Sequence, residues 1–247
     1  MSEKPVALWA TPRSISTAFE RIFVEREDFK VFHEPFAVSY YFSEDRRSNR
    51  YSEEEPKEEH LPENVLADIL ADNAKPVFFK DMAYHTVDFM NKDFVENFRN
   101  TFLIREPKQV LSSFYKMWPD FTFEEAGYEQ LHRFFRCSVE AGQEPVVVEA
   151  SDLASETEAT IAAYCEKLGI PHKPEALSWE QREVPEWEMW DEWHTDAQES
   201  TGIEELPQKE ITLPDELHET YEKCLPYYRE LYEYRLEPAK RPDAKRV

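Results

Sequence analysis

The sequence predicts a single α/β domain, a central and mainly parallel sheet flanked by helices. Two observations carry this reading. Short apolar runs at 6–10, 30–32, 77–80, 101–104 and 146–149 alternate with segments of helical periodicity, the pattern of parallel strands joined by crossover helices. A chain of 247 residues can also bury one large core, and it shows neither an internal repeat nor a second domain. Ligands of such sheets collect at the carboxyl ends of the strands.

The first strand, Val6-Ala7-Leu8-Trp9-Ala10, runs into Thr11-Pro12-Arg13-Ser14-Ile15-Ser16-Thr17 and then a helix through Phe19, Glu20 and Arg21. A strand feeding a helix through a tight loop aims backbone N–H groups and the positive end of the helix dipole at one spot. Arg13 adds a fixed charge, and Ser14, Ser16 and Thr17 add hydroxyls. The natural occupant is a phosphate or sulfate. The loop has neither glycine nor lysine, so it is not the Walker A loop of an ATP- or GTP-hydrolysing enzyme.

The fourth apolar run, Thr101-Phe102-Leu103-Ile104, precedes Arg105-Glu106-Pro107-Lys108-Gln109-Val110-Leu111-Ser112-Ser113. Pro107 suits the first turn of a helix. Arg105 at the strand end can fork two donors onto a phosphate, and Ser113 can add a hydroxyl.

The two segments together resemble the donor-binding motifs of sulfotransferases that use 3′-phosphoadenosine-5′-phosphosulfate (PAPS). Pro12-Arg13-Ser14-Ile15-Ser16-Thr17 is similar to that family's 5′-phosphosulfate loop, and Arg105 with Ser113 to its 3′-phosphate site. Weaker similarities follow at Glu149-Ala150-Ser151-Asp152-Leu153 and at the helix 158–168 that closes on Gly169-Ile170-Pro171. The resemblance spans about residues 5–175. It implies a P-loop-type sulfotransferase fold, PAPS as co-substrate without a metal, and transfer of a sulfuryl group to a hydroxyl or amine of a small acceptor. It also implies a donor site made of Pro12 to Thr17, Arg21, Arg105 and Ser113.

Ile15 stands where the family usually has glycine. A β-branched residue does not comfortably take positive φ. Either the loop is right-handed there or its anion site is altered.

Sulfuryl transfer needs a base for the acceptor and positive charge at the transferring and leaving groups. Arg13 takes the place of the loop Lys or Arg that neutralises the bridging oxygen, and Lys80, ending its strand, is a second candidate for that charge. Two residues compete as the base. Glu34, in Phe32-His33-Glu34-Pro35-Phe36, resembles the catalytic glutamate of the glycan-modifying branch. His85, in Lys80-Asp81-Met82-Ala83-Tyr84-His85, resembles the K-x-H loop of cytosolic sulfotransferases at a longer spacing. His33 and His194 stand behind them, and Glu34 could instead be an ion-pair partner of Arg13 or Arg21.

The formal net charge of −23 excludes a general nucleic-acid binder and argues against docking on anionic membranes. Arg13, Arg21, Lys80, Arg99, Arg105 and Lys108 are expected near the strand ends, where they would receive an anionic donor. Cys137, Cys165 and Cys224 form no C-x-x-C pair, so each is expected to be a reduced, buried apolar residue. The N-terminus has no apolar signal region and no stretch is long enough to span a bilayer. A cytoplasmic protein is expected.

Three segments lie outside the motifs. The charge-dense insertion 43–63 reads as a solvated loop or as a lid over an acceptor pocket. Trp179, Trp187, Trp190 and Trp193 read as a core edge or as a pocket wall. The helix 215–236 carries a packing stripe of Tyr221, Leu225, Tyr228, Leu231 and Tyr232, and the tail 237–247 is expected to fray. Two other functions remain open: a nucleotide phosphotransferase, and a nucleotide-binding module on the same fold that performs no turnover.

Overall fold

The computed structural model describes residues 3–71, 74–193, 195–206 and 211–237. Five strands form one sheet: β1 (Val6–Ala10), β2 (Lys30–His33), β3 (Val77–Met82), β4 (Arg99–Ile104) and β5 (Val146–Glu149). Their spatial order is β2-β3-β1-β4-β5, and every pairing is parallel, with Leu8 opposite Lys80 on one side and Thr101 on the other. The helices follow in chain order: α1 (Ser16–Arg26), α2 (Ala37–Phe42), α3 (Pro62–Leu70), α4 (Lys92–Val95), α5 (Pro107–Met117), α6 (Phe123–Ala126), α7 (Tyr128–Glu140), α8 (Ala150–Ser155), α9 (Thr157–Leu168), α10 (Thr195–Glu199) and α11 (His218–Tyr232).

The period-2 alternation of a strand buried on both faces is visible in the core. Leu8, Ala10, Phe78, Met82, Leu103 and Val148 pack on one face with Phe19 and Phe23 of α1. Trp9, Phe79, Phe102 and Ile104 pack on the other with Phe134 of α7. Trp9 is fully buried, and its indole N–H donates to Asn100 Oδ1 at 2.8 Å. The same alternation sends Lys80 and Asp81 to opposite faces of β3.

Connections from β1 lead toward one edge of the sheet and those from β4 toward the other. The crevice between the carboxyl ends of β1 and β4 is therefore the topological switch point where such sheets bind ligands. Glycine at the αL position closes α9, with Gly169 at φ 61°, as its place after the last apolar turn predicts.

The three segments outside the motifs resolve differently. Arg47 pairs with Glu124 and Asp88, and Arg50 with Glu125 and Asp120, so the insertion is anchored on α6, on Asp120 just before it and on Asp88 beyond β3. Trp179 and Trp187 are buried against α1 with the Arg21 guanidinium 5.8 and 5.7 Å from their rings. Those two form a core edge and are not among the residues lining the cavity described below, and the side chains of Trp190 and Trp193 lie outside those described. Residues 238–247 and His194 lie outside the described residues.

Candidate active site

The loop after β1 carries unusual backbone. Arg13 and Ile15 both adopt left-handed conformations, with φ 57° and 62°. Ile15 thus keeps the backbone that glycine supplies elsewhere, so the alternative of a right-handed loop is ruled out. A left-handed β-branched residue costs on the order of 1–2 kcal/mol, which the surrounding packing must offset. Ile15 is the N-cap of α1 and gives its first turn no side-chain acceptor. The N–H groups of a first turn have no intrahelical partner and favour anions, and here Ser16, Thr17 and Ala18 line a cavity of about 340 Å³.

Arg13 and Arg105 meet across the switch point. Arg105 donates from Nη1 to the Arg13 carbonyl at 2.7 Å and from Nε to Gln109 Oε1 at 2.9 Å. Arg13 Nε in turn donates to Ser113 Oγ at 3.0 Å. Burial lowers the Arg105 pKa from its ordinary value, with the Arg13 charge acting the same way, so an anion placed between them gains two poorly solvated cations. Both arginines line the cavity with Pro12, Ser14, Ile15, Ser16 and Thr17. The Tyr128 hydroxyl donates to the Arg105 carbonyl at 2.6 Å and fixes that strand end from below.

His85 meets the same cavity from the turn after β3, with Asp81 buried behind it at the strand end. The short helical turn Ala83–Thr86 brings His85 back over the strand end, and its Nδ1 lies 2.6 Å from Asp81 Oδ1. The carboxylate also accepts the backbone N–H groups of Phe36 at 2.6 Å and Met82 at 2.8 Å. Burial raises the Asp81 pKa, and the neighbouring His85 counters it. In the tautomer that donates from Nδ1 to the Asp81 carboxylate, the imidazole carries its lone pair at Nε2. That Nε2 is buried without a hydrogen-bond partner, and His85 is a wall of the cavity at 3 % exposure.

Glu34 lines the cavity too, in a left-handed conformation with φ 42°. Its carboxylate is 2.5 Å from Lys80 Nζ, and Lys80 is fully buried. Lys80 departs from its expected role, because its ammonium points between Glu34 and Glu20, 4.0 Å away, and not into the cavity. His33 is also set aside, its Nδ1 lying 2.8 Å from Glu20, which also accepts the Trp187 indole N–H at 2.9 Å.

Two further expectations are corrected. Arg21 does not line the cavity: it lies beyond the first turn of α1, paired with Glu25 at 2.6 Å. Arg99 begins β4, at the amino edge of the sheet, where it pairs with Glu3 and the Leu168 carbonyl.

Sequence reasoning missed Asp81, Tyr41, Tyr84 and Trp118. Asp81 had a signal in its four-residue spacing from His85 after an apolar run. The three aromatic residues carried none, since nothing in their local sequence marks a ring as the wall of a cavity. Cys137 also departs from expectation, being only half-buried, while Cys165 and Cys224 are buried.

The sulfotransferase domain model matches residues 4–233 of this chain, and the chain belongs to that family. Two Arabidopsis thaliana relatives, named branched-chain-amino-acid aminotransferase-like proteins 2 and 1, are 29% and 28% identical over 225 residues. Those alignments cover 89% of this chain and 40% of each relative, so the chain spans less than half of their length. Among solved structures, the sulfotransferase domain from the curacin biosynthetic pathway superposes with a TM-score of 0.56 at 12% identity, covering 96% of this chain and all of that one. It shares the fold. Among the described residues no helix is long and apolar enough to cross a membrane, and no cluster of metal-ligating side chains occurs.

Proposed function

We propose that this chain transfers a sulfuryl group from PAPS to a hydroxyl or amine of a small acceptor, with His85 as general base. One observation carries the reading. A buried imidazole nitrogen without a partner shares a cavity with the N-terminus of α1, Arg13 and Arg105. Donor phosphates suit the arginine side, and the acceptor suits the His85 side.

The residues support a simple sequence of events. His85 Nε2 takes the acceptor proton as the acceptor oxygen or nitrogen bonds to sulfur, while the bond from sulfur to the bridging phosphate oxygen breaks. Charge then develops on that bridging oxygen, beside Arg13 and the first turn of α1. Asp81 holds the ring and stabilises the imidazolium. Glu34 serves as the counter-ion of Lys80 and leaves base catalysis to His85. With net charge −23, a cytoplasmic enzyme without nucleic-acid or membrane partners is the matching setting.

Transfer of labelled sulfate from PAPS to a panel of phenols, sugars, amines and alcohols tests the reading. Binding of adenosine 3′,5′-bisphosphate with no transfer to any acceptor would favour a module without turnover. Magnesium-dependent ATP binding would favour the phosphotransferase.

A further inference from the structure

Resting on that reading, we propose that the acceptor is a hydroxyl compound with a slender apolar body and no negative charge. The cavity beyond the donor arginines is walled by Tyr41, Met82, Tyr84, Phe114, Trp118 and Ile203, with Ile15 on the loop side. In the same lining, His85 Nε2 is buried with no hydrogen-bond partner among the described residues, so the acceptor hydroxyl belongs there.

The tyrosine hydroxyls do not offer themselves to a polar acceptor. Tyr41 and Tyr84 bond to each other at 3.2 Å, and burial pushes both pKa values well up, which keeps the wall neutral. A sugar would leave several hydroxyls desolvated against these rings, a cost that an apolar body avoids. Trp118 is held by the Arg50 guanidinium 4.1 Å from its ring and by Tyr41, whose ring lies 6.4 Å away. The wall is therefore built before the acceptor arrives.

Charge completes the argument. Arg13 and Arg105 are the cations among the described lining residues, and both are committed to the donor. The remaining ionised side chains among the described lining residues are Glu34, already paired with Lys80, and the exposed Glu204 and Glu205. A carboxylate-bearing acceptor would find no further counter-ion among the described lining residues and would be repelled by both exposed glutamates.

Four probes test this: 4-ethylphenol, tyramine and 4-hydroxyphenylacetate, which share one shape and differ in charge, and methyl glucoside. Binding of each to protein saturated with adenosine 3′,5′-bisphosphate is measured by calorimetry, beside label transfer from PAPS. The expected result is that 4-ethylphenol and tyramine bind at least ~10-fold more tightly than the carboxylate and the glucoside. In the Glu204→Gln/Glu205→Gln double variant, the ratio of tyramine to carboxylate affinity falls about threefold or more. Equal binding of the carboxylate or glucoside and 4-ethylphenol would overturn the proposal. So would no binding of either preferred probe to protein that does bind bisphosphate, an outcome that leaves the sulfotransferase reading standing. Failure to bind bisphosphate would remove that reading and this proposal with it.

Discussion

Lys80 Nζ lies 2.5 Å from Glu34 Oε1 in the wall of the cavity, and the lysine is fully buried. That pairing sets Lys80 apart from the donor and occupies Glu34. Removing one partner leaves a buried charge with Glu20, 4.0 Å away, as its nearest counter-ion. Glu34→Gln is expected to cost on the order of 3 kcal/mol of stability. Adding Lys80→Met should recover much of it, because the orphaned charge is then gone. Urea unfolding of the single and double variants measures this. A Glu34→Gln variant of unchanged stability would show that the pair is not formed.

The Asp81–His85 pair predicts losses in turnover that are not losses in donor binding. His85→Asn should lower kcat by about 10²–10⁴-fold while bisphosphate affinity stays nearly intact. Asp81→Asn should lower kcat as well, because the imidazole loses the carboxylate that orients its ring and offsets its developing charge. It should also lower stability by about 1–3 kcal/mol, since Asp81 accepts two backbone N–H groups besides the imidazole and an amide cannot accept all three equally. Steady-state rates, read beside calorimetric binding and urea unfolding, separate these effects.

Arg105 and Ser113 should act on the donor. Arg105→Ala is expected to cost on the order of 2–4 kcal/mol of bisphosphate binding. Ser113→Ala should cost roughly 1 kcal/mol, in part by releasing the Arg13 guanidinium it now holds at 3.0 Å. Both losses should shrink for an analogue lacking the 3′-phosphate. Equal losses for the two nucleotides would place the 3′-phosphate elsewhere.

Thiol reactivity gives an independent check on packing. Burial pushes the Cys224 thiol up to about 12 from an ordinary value of 9.0, which cuts its thiolate fraction near pH 8 by about a thousandfold. Cys137 is half-buried and its pKa is raised less. Alkylation of the native protein followed by peptide mapping should modify Cys137 first and Cys224 only on unfolding.

Much of the architecture was legible because parallel strands are apolar on both faces. The five runs of the sequence correspond to the five strands, with 6–10 and 146–149 unchanged and the others extended by one or two residues at an end. The extensions fall on His33, Asp81, Met82, Arg99 and Asn100, four of them polar or charged, and such residues break the apolar run by which a buried strand is read; Arg99 and Asn100 take partners as distant as Glu3 and Trp9. The donor loop was legible for a similar reason, since strand, loop and helix N-terminus are contiguous in the chain. Arg21 and Arg99 were misplaced because nearness in sequence to a motif does not say which way a helix turns or which end of a strand a residue occupies. Lys80 and Asp81 are neighbours in sequence that face opposite sides of the sheet, and Glu34 reaches Lys80 across 46 positions.

The central claim is tested most directly by calorimetric titration of the protein with adenosine 3′,5′-bisphosphate. The account predicts saturable one-to-one binding that Arg105→Ala weakens and His85→Asn leaves nearly unchanged. No binding at about 1 mM nucleotide, an affinity weaker than about 4 kcal/mol, would contradict it.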